Sequence, residues 1–129
     1  MTLLDKLENK PLQELIESRE IVSLMVPPYK YRVEEFYNCP VFVSKYIWIQ
    51  LERIKGLTHF HNYFTRIVHD LIAGSISRVV EKENLNEEIF LARFNYTQPQ
   101  KNKLRAFRKI KILKESEQSF ILILDINEN

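Results

Sequence analysis

The chain has 129 residues, of which 45% are hydrophobic and 12% aromatic, and this composition argues against a disordered protein and fits one domain with one core. A formal net charge of +2 lacks the strong basic excess of an obligate nucleic-acid binder. The two glycines argue against a phosphate-binding loop and against a sandwich or barrel with many glycine turns, so a mainly helical chain is favoured.

Prolines divide the N-terminal part of the chain into short predicted elements. Pro11 breaks the leucine-rich stretch 2–20 into a short turn and a second helix. Residues 21–26 are an apolar run that fits a strand or a helix end, and a pair of prolines closes it. Residues 29–37 predict a short helix.

Residues 41–55 carry signals for both a strand and a helix. The first part of this stretch is β-branched and aromatic, which favours a strand. The whole stretch ends at Gly56 after Arg53 and Lys55, as is typical of a helix C-terminus. Because the length and the stop signal agree, we predict a buried helix.

A long amphipathic helix is predicted over residues 58–82, where apolar residues recur at helical spacing. Gly74 and Ser75 interrupt this stripe at a point where a neighbouring helix could approach closely. Asn86, which two glutamates follow, predicts the start of another short helix that ends at Phe94.

The stretch from Thr97 to Lys114 holds seven basic residues and no acid. Thr97 can cap a helix, and Pro99 suits its first turn. The apolar residues then recur at helical spacing, and the bases gather on roughly the opposite face. The apolar positions are Leu104, Phe107, Ile110 and Leu113, and the opposite ones are Lys101, Arg105, Arg108 and Lys109. The pattern predicts an amphipathic helix with a cationic stripe.

Residues 120–126 predict one short C-terminal strand. A lone strand leaves its backbone groups unpaired, so its partner must be the run 21–26, a loop, or a strand from another chain. We therefore expect a mainly α fold, a bundle of about five helices with this strand, in one domain over residues 1–129. The segment 116–129 would be a remnant or the start of a small β domain. An α+β fold with a minimal sheet is the alternative.

The sequence contains no pattern that predicts a catalytic, metal or cofactor site. His59, His61 and His69 do not share a helix face at a spacing that suits one metal ion. Cys39 is the single cysteine, so an intrachain disulfide or a cysteine zinc site is excluded. We predict a non-enzymatic protein with no catalytic residue, metal or cofactor. Without a signal peptide or an apolar run near ~18 residues, we expect it to be intracellular, cytoplasmic or nucleoid-associated, and away from membranes.

The sequence from His61 to Lys114 resembles the helical core of GINS replication-complex subunits, in the class with its helical domain first. Arg66, Arg78 and the run Tyr96–Gln100 stand where that family has a long helix with basic residues and the capped start of the next helix. The resemblance implies a scaffold for the MCM replicative helicase and its RecJ-like partner. It also implies that the strand 120–126 is the entry to the family's small β domain.

We therefore expect a helical scaffold or adaptor subunit of a nucleic-acid-processing assembly, which binds other protein subunits. The predicted contacts with DNA, RNA or an acidic partner are Lys101, Lys103, Arg105, Arg108 and Lys109. The predicted subunit interface comprises Trp48, Phe60, Phe64, Ile67, Phe120 and Leu122. The alternative is a small helical homo-oligomer that is a nucleic-acid-binding or regulatory protein, similar to a viral or CRISPR effector small subunit. An ordinary solvated face would also explain the basic stripe.

Overall fold

The computed structural model describes residues 2–55, 64–93, 104–113 and 118–128. These residues form five helices and six strands. The helices are α1 (Leu3–Asn9), α2 (Leu12–Glu17), α3 (Tyr29–Phe36), α4 (Lys45–Lys55) and α5 (Phe64–Ser77). The strands are β1 (Ile21–Ser23), β2 (Val41–Ser44), β3 (Val79–Asn84), β4 (Glu87–Arg93), β5 (Leu104–Ile112) and β6 (Phe120–Asp125).

The strands make one mixed sheet in the order β1-β2-β6-β5-β4-β3. β2 and β6 run parallel, and every other neighbouring pair is antiparallel. The sheet therefore has two edges, the short strand β1 on one side and β3 on the other.

Helices cover both faces of the sheet. On one face α3, α4 and α5 pack on alternate strand residues such as Val43, Phe90 and Phe107. On the other face α1 and α2 place Leu7 and Leu15 against the remaining strand residues. The second set of strand residues is Ile21, Phe42, Ile110, Phe120, Leu122 and Leu124. This three-layer arrangement buries a core on each side of the sheet.

The predicted mainly helical bundle is wrong, because the described residues form an α+β fold with a six-stranded mixed sheet. The largest error is β5, where a basic helix was predicted. Apolar residues three apart fall on alternate faces of a strand. Phe107 accordingly joins the core on one face and Ile110 the core on the other. A strand that is covered on both faces accepts this spacing as readily as a helix does. Residues 97–103, which include the predicted cap, lie outside the described part.

Two further predictions are wrong, the continuation of the long helix to Lys82 and the short helix from Asn86. In this region β3 and β4 form a hairpin. Its turn needs no glycine, because the Asn86 backbone N–H donates to the Asn84 side-chain oxygen at 2.8 Å. Among the described residues only Arg19 has a positive φ. The low glycine content therefore did not exclude a sheet.

The stretch 41–55 contains both of the structures that its signals indicated. The β-branched start is strand β2, and the remainder is helix α4. Ser44 joins them, because its Oγ accepts a hydrogen bond from the Ile47 backbone N–H at 3.3 Å, as a helix cap does. The prediction of one continuous helix was wrong at its first four residues.

Several local predictions are confirmed. Pro11 separates α1 from α2, α3 spans Tyr29–Phe36, and the run 21–26 contains β1. The C-terminal strand is β6, but it lies inside the sheet between β2 and β5 and does not pair with β1. Its backbone groups therefore have neighbours on both sides.

Gly74 allows a close approach, although of a strand and not of a helix. A Cβ atom at this position would lie 2.7 Å from the Leu91 carbonyl oxygen and 2.9 Å from the Ala92 Cβ. Helix α5 continues through Gly74 without a break. The missing side chain therefore sets how closely α5 lies on β4.

Candidate functional site

The described basic residues of the predicted nucleic-acid surface have ion-pair partners inside the chain. The Arg105 guanidinium lies 2.8 Å from the Asp125 carboxylate and donates to the Gln50 side-chain oxygen at 3.0 Å. The Arg108 Nε lies 2.5 Å from Glu87, a pair in which both side chains are at most 17% exposed. The charges of Arg105 and Arg108 are therefore largely neutralised by acids of the sheet.

Lys109 is buried more deeply than the two arginines. Its Nζ lies 3.2 Å from the Glu88 carboxylate and donates to the Ser75 carbonyl oxygen at 2.6 Å. Glu88 stands directly opposite Lys109 across the β4–β5 ladder. The acids that the basic stretch lacks are thus supplied by the two neighbouring strands, β4 and β6. Lys101 and Lys103 lie outside the described residues.

Most of the predicted interface residues belong to the core of the chain itself. Phe64, Ile67, Phe120 and Leu122 are buried. Trp48 is partly buried, and its ring meets Phe64 edge-on with centroids 5.7 Å apart. Phe60 lies outside the described residues. Of this set, Trp48 is the described residue that also reaches a surface groove.

A polar cluster under α5 ties this helix to the sheet. Ser75 donates from its Oγ to the Ile72 carbonyl oxygen at 2.5 Å, so the Tyr37 hydroxyl, also 2.5 Å away, donates to Ser75. The Lys109 ammonium lies 5.5 Å from the centre of the Tyr37 ring. Burial raises the pKa of Tyr37 to about 12. Because these groups satisfy one another, we assign the cluster to stability and not to a reaction.

A groove of about 440 Å³ runs beside the edge strand β1. One wall is a face of α4 whose residues follow one another at helical spacing. The other walls come from β1, from α2 and from the loop after β1. The lining residues are Ile16, Arg19, Ile21, Val22, Ser23, Val26, Lys45, Trp48, Ile49 and Glu52. The lining is mostly apolar, and Val26 and Ile49 are 49% and 38% exposed.

The outer edge of β1 has free backbone groups. Glu20 accepts a hydrogen bond from the Lys45 N–H at 3.0 Å, and the Leu24 N–H donates to the Val41 carbonyl at 2.9 Å. In an antiparallel ladder the intervening odd positions point the other way. The N–H and C=O groups of Ile21 and Ser23 therefore face away from β2, and they have no hydrogen-bond partner among the described residues. Ile21 is only 1% exposed and Ser23 is half-buried, so Ser23 is the accessible one of the two.

The opposite edge of the sheet is protected against strand pairing by charges and bulges, whereas β1 is protected only by its length of three residues. β3 carries Glu81, Lys82 and Glu83, and its register with β4 shifts twice. Charged side chains and bulges are the devices by which edge strands avoid pairing with other chains. β1 is the uncharged run Ile21–Ser23, and its pairing with β2 is regular.

Two cations stand at one end of the groove. Arg19 has a φ of 62° and follows the end of α2, where the Glu20 N–H donates to the Leu15 carbonyl at 3.0 Å and the Arg19 N–H donates to Ile16 at 3.1 Å. Such a helix ending usually has glycine at this left-handed position. Lys45 is the first residue of α4. Neither side chain has an ion-pair partner within the described ranges.

Sequence reasoning did not find this groove. The signal nearest to it was the suggestion that a strand from another chain completes the sheet, which was attached to residues 120–126. The open edge is instead on β1, because β6 takes the central place. The ambiguous run 21–26 carried no charge, and an uncharged edge can be recognised only once the strand order is known.

Other kinds of site have less support. In the described parts of the chain no three acidic, histidine or cysteine side chains gather as a metal site would require. Within the same ranges, none of the helices has the length and apolar character of a membrane span. Comparisons with protein-family models, with curated proteins and with solved structures found no match to this chain.

Proposed function

We propose that this chain is a non-enzymatic adaptor, and that β1 binds an extended segment of a partner protein as an added strand of the sheet. The observation that carries the proposal is the outward-facing and accessible backbone of Ser23 beside a mostly apolar groove. An extended peptide satisfies such groups with its own backbone and places its side chains in the adjoining groove.

The groove has the form that an added strand requires. α2 and α4 both pack on β1, one on each face of the sheet. Side chains of an incoming strand would alternate between the α4 wall, with Trp48 and Ile49, and the α2 wall, with Ile16. Each large apolar side chain buried there would contribute about 1.5–3 kcal/mol before the ordering costs of binding.

The proposal keeps the predicted role as an adaptor subunit and moves the contact from the basic stretch to the β1 edge. The paired state of Arg105, Arg108 and Lys109 gives them little free charge for phosphates. A nucleic-acid contact through Lys101 and Lys103 stays a prediction, as does membership of a replication assembly.

The test is a selection from a displayed library of random linear peptides of about a dozen residues, with the full chain as bait. We expect enriched peptides to bind the Ser23→Pro variant at least roughly ten-fold more weakly than the Ser23→Ala variant, a difference of about 1.4 kcal/mol. Both variants lose the serine side chain, but only proline removes the outward N–H. Edge strands tolerate proline at such a position.

A second readout does not depend on a variant. In the unmodified chain, hydrogen exchange at the Ser23 amide should slow when an enriched peptide is added. Enrichment of no peptide, or peptides that bind without protecting the Ser23 amide, would rule out strand addition at β1.

A further inference from the structure

We infer that the segment bound at β1 carries a carboxylate, and that Arg19 and Lys45 are the residues that select it. This inference rests on the proposed strand addition and names the chemistry of the segment. The basis is the position, at one end of a mostly apolar groove, of two cations that have no ion-pair partner among the described residues. A carboxylate placed there would gain charge-assisted hydrogen bonds from two exposed cations.

Arg19 occupies a backbone conformation that works against stability. A left-handed residue other than glycine costs roughly 1–2 kcal/mol. The charge of Arg19 near the C-terminus of α2 offsets a part of this, at about 0.3–1 kcal/mol. Within the described residues its guanidinium contacts no acid that would offset the rest. Non-glycine residues in this conformation cluster at binding sites, where the strain is retained for function.

Lys45 is also poorly placed for local stability. It begins α4, and a cation at a helix N-terminus opposes the helix dipole. Two acids, Glu20 and Glu128, line a small pocket together with Lys45, but Glu20 pairs with Lys6 at 3.1 Å and Glu128 accepts a hydrogen bond from Ser44 at 2.7 Å. Arg19 and Lys45 lie at the same end of the groove, since the Lys45 backbone N–H bonds to Glu20. Two residues that break local rules side by side indicate a shared function.

The far end of the groove has the opposite charge. Glu52 lies two turns along α4 from Lys45, and its carboxylate accepts a hydrogen bond from the Trp48 indole at 2.9 Å. Seven helical residues span about 10 Å, which equals roughly three residues of an extended strand. The groove therefore fits a segment with a carboxylate at one end, followed by about three residues whose side chains are mainly apolar.

An acidic side chain and a free C-terminus both provide a carboxylate, and the experiment separates them. A peptide enriched in the library selection is synthesised with its acid intact, with that acid changed to the amide, and with a free or an amidated C-terminus. Fluorescence anisotropy then measures the binding of each peptide to the wild-type chain and to Arg19→Gly, Lys45→Gln and Arg53→Gln. Arg53 is an exposed cation of α4 that does not line the groove.

We expect Arg19→Gly and Lys45→Gln each to weaken binding by roughly ten-fold, and Arg53→Gln by less than about two-fold. The peptide whose acid is changed to the amide should bind the wild-type chain roughly ten-fold more weakly than the acid peptide does. Arg19→Gly and Lys45→Gln should weaken the binding of this amide peptide little further. Arg19→Gly should also raise Tm by several degrees, because glycine relieves the left-handed position. A gain in stability together with a loss of binding excludes simple misfolding as the cause.

The outcomes separate the two proposals. If Arg19→Gly and Lys45→Gln bind as well as the wild type while Ser23→Pro does not, the carboxylate inference fails and strand addition stands. If Ser23→Pro binds as well as Ser23→Ala, both fail. A dimer of the chain by light scattering that the Ser23→Pro variant loses would place a second copy in the groove, and that result overturns the assignment to a partner segment.

Discussion

Lys109 and Glu88 face each other across the β4–β5 ladder, with the ammonium 3.2 Å from the carboxylate. The same ammonium donates to the Ser75 carbonyl of α5 at 2.6 Å. One buried lysine thus connects two strands and a helix. Lys109, which the sequence predicts to contact nucleic acid, therefore stabilises the fold.

Replacing this lysine should destabilise the fold. We expect Lys109→Met to lower the free energy of unfolding by about 1–3 kcal/mol, because the Ser75 carbonyl and Glu88 lose their partner. Urea denaturation measures the change. Lys111→Met is the matched control, since Lys111 lies on the same face of β5 and is exposed, and it should change stability by less than about 0.5 kcal/mol. Equal losses in the two variants would contradict the buried role of Lys109.

Stability should fall at alkaline pH because of Tyr37. Burial raises its pKa from 10.0 to about 12, so the folded chain retains a proton that the unfolded chain releases above pH 10. The contribution is complete below pH 10 and is lost as the pH rises to about 12. Urea denaturation from pH 9 to pH 12 should show a shallower decline in Tyr37→Phe. Tyr31→Phe, at a residue that is 63% exposed, should keep the wild-type decline.

Stability should also fall at mildly acidic pH because of His69. Burial, together with the nearby Arg32, lowers the pKa of its imidazole below the ordinary 6.5, against the opposing effect of Asp70 and Glu35. The unfolded chain therefore takes up a proton near pH 6.5 that the folded chain resists, and stability declines as the pH falls below this value. In the fold the His69 ring meets Tyr29 edge-on.

The measurement is the free energy of unfolding between pH 7.5 and pH 5. His69→Phe keeps an aromatic ring against Tyr29 and cannot titrate, so its stability should depend less on pH over this range. An unchanged pH dependence in this variant would show that His69 does not cause the decline.

Gly74→Ala should destabilise the chain although alanine favours a helix. The gain in helix propensity is about 1 kcal/mol. The new methyl group would lie 2.7 Å from the Leu91 backbone oxygen, and overpacking of this kind costs about 1–3 kcal/mol. Because the neighbour is backbone and cannot rotate away, we expect a net loss of about 1 kcal/mol in thermal or urea unfolding. Arg66→Ala, at an exposed position of the same helix, should be close to neutral. A Gly74→Ala protein as stable as the wild type would show that α5 can move off β4.

Helices with local start and stop signals could be predicted from the sequence. Pro11 separates α1 from α2 in any tertiary setting, because its ring blocks the preceding helical turn. The apolar stripe of α5 predicted its buried residues, among them Ile67 and Leu71. The strand β6 was predicted within the run 120–126 because β-branched and other apolar residues fill it from Phe120 to Leu124.

The central sheet could not be predicted in this way. The spacing of Leu104, Phe107 and Ile110 fits one face of a helix and also both faces of a covered strand, and the choice depends on neighbours distant in sequence. The acids opposite the basic stretch are on β4 and β6, so its charge appeared unbalanced while the pairing of Arg105 with Asp125 was unknown.

The sequence by itself determined the break at Pro11, the core stripe of α5 and the strand β6, since each of these depends on residues close together in the chain. Only the tertiary structure decided which strands are edges, which cations are paired and where a groove opens. Those properties belong to the order β1-β2-β6-β5-β4-β3. Strand order is fixed by contacts between distant segments, and for this reason Ile21, Ser23 and Arg19 carry no signal of their role until the sheet is assembled.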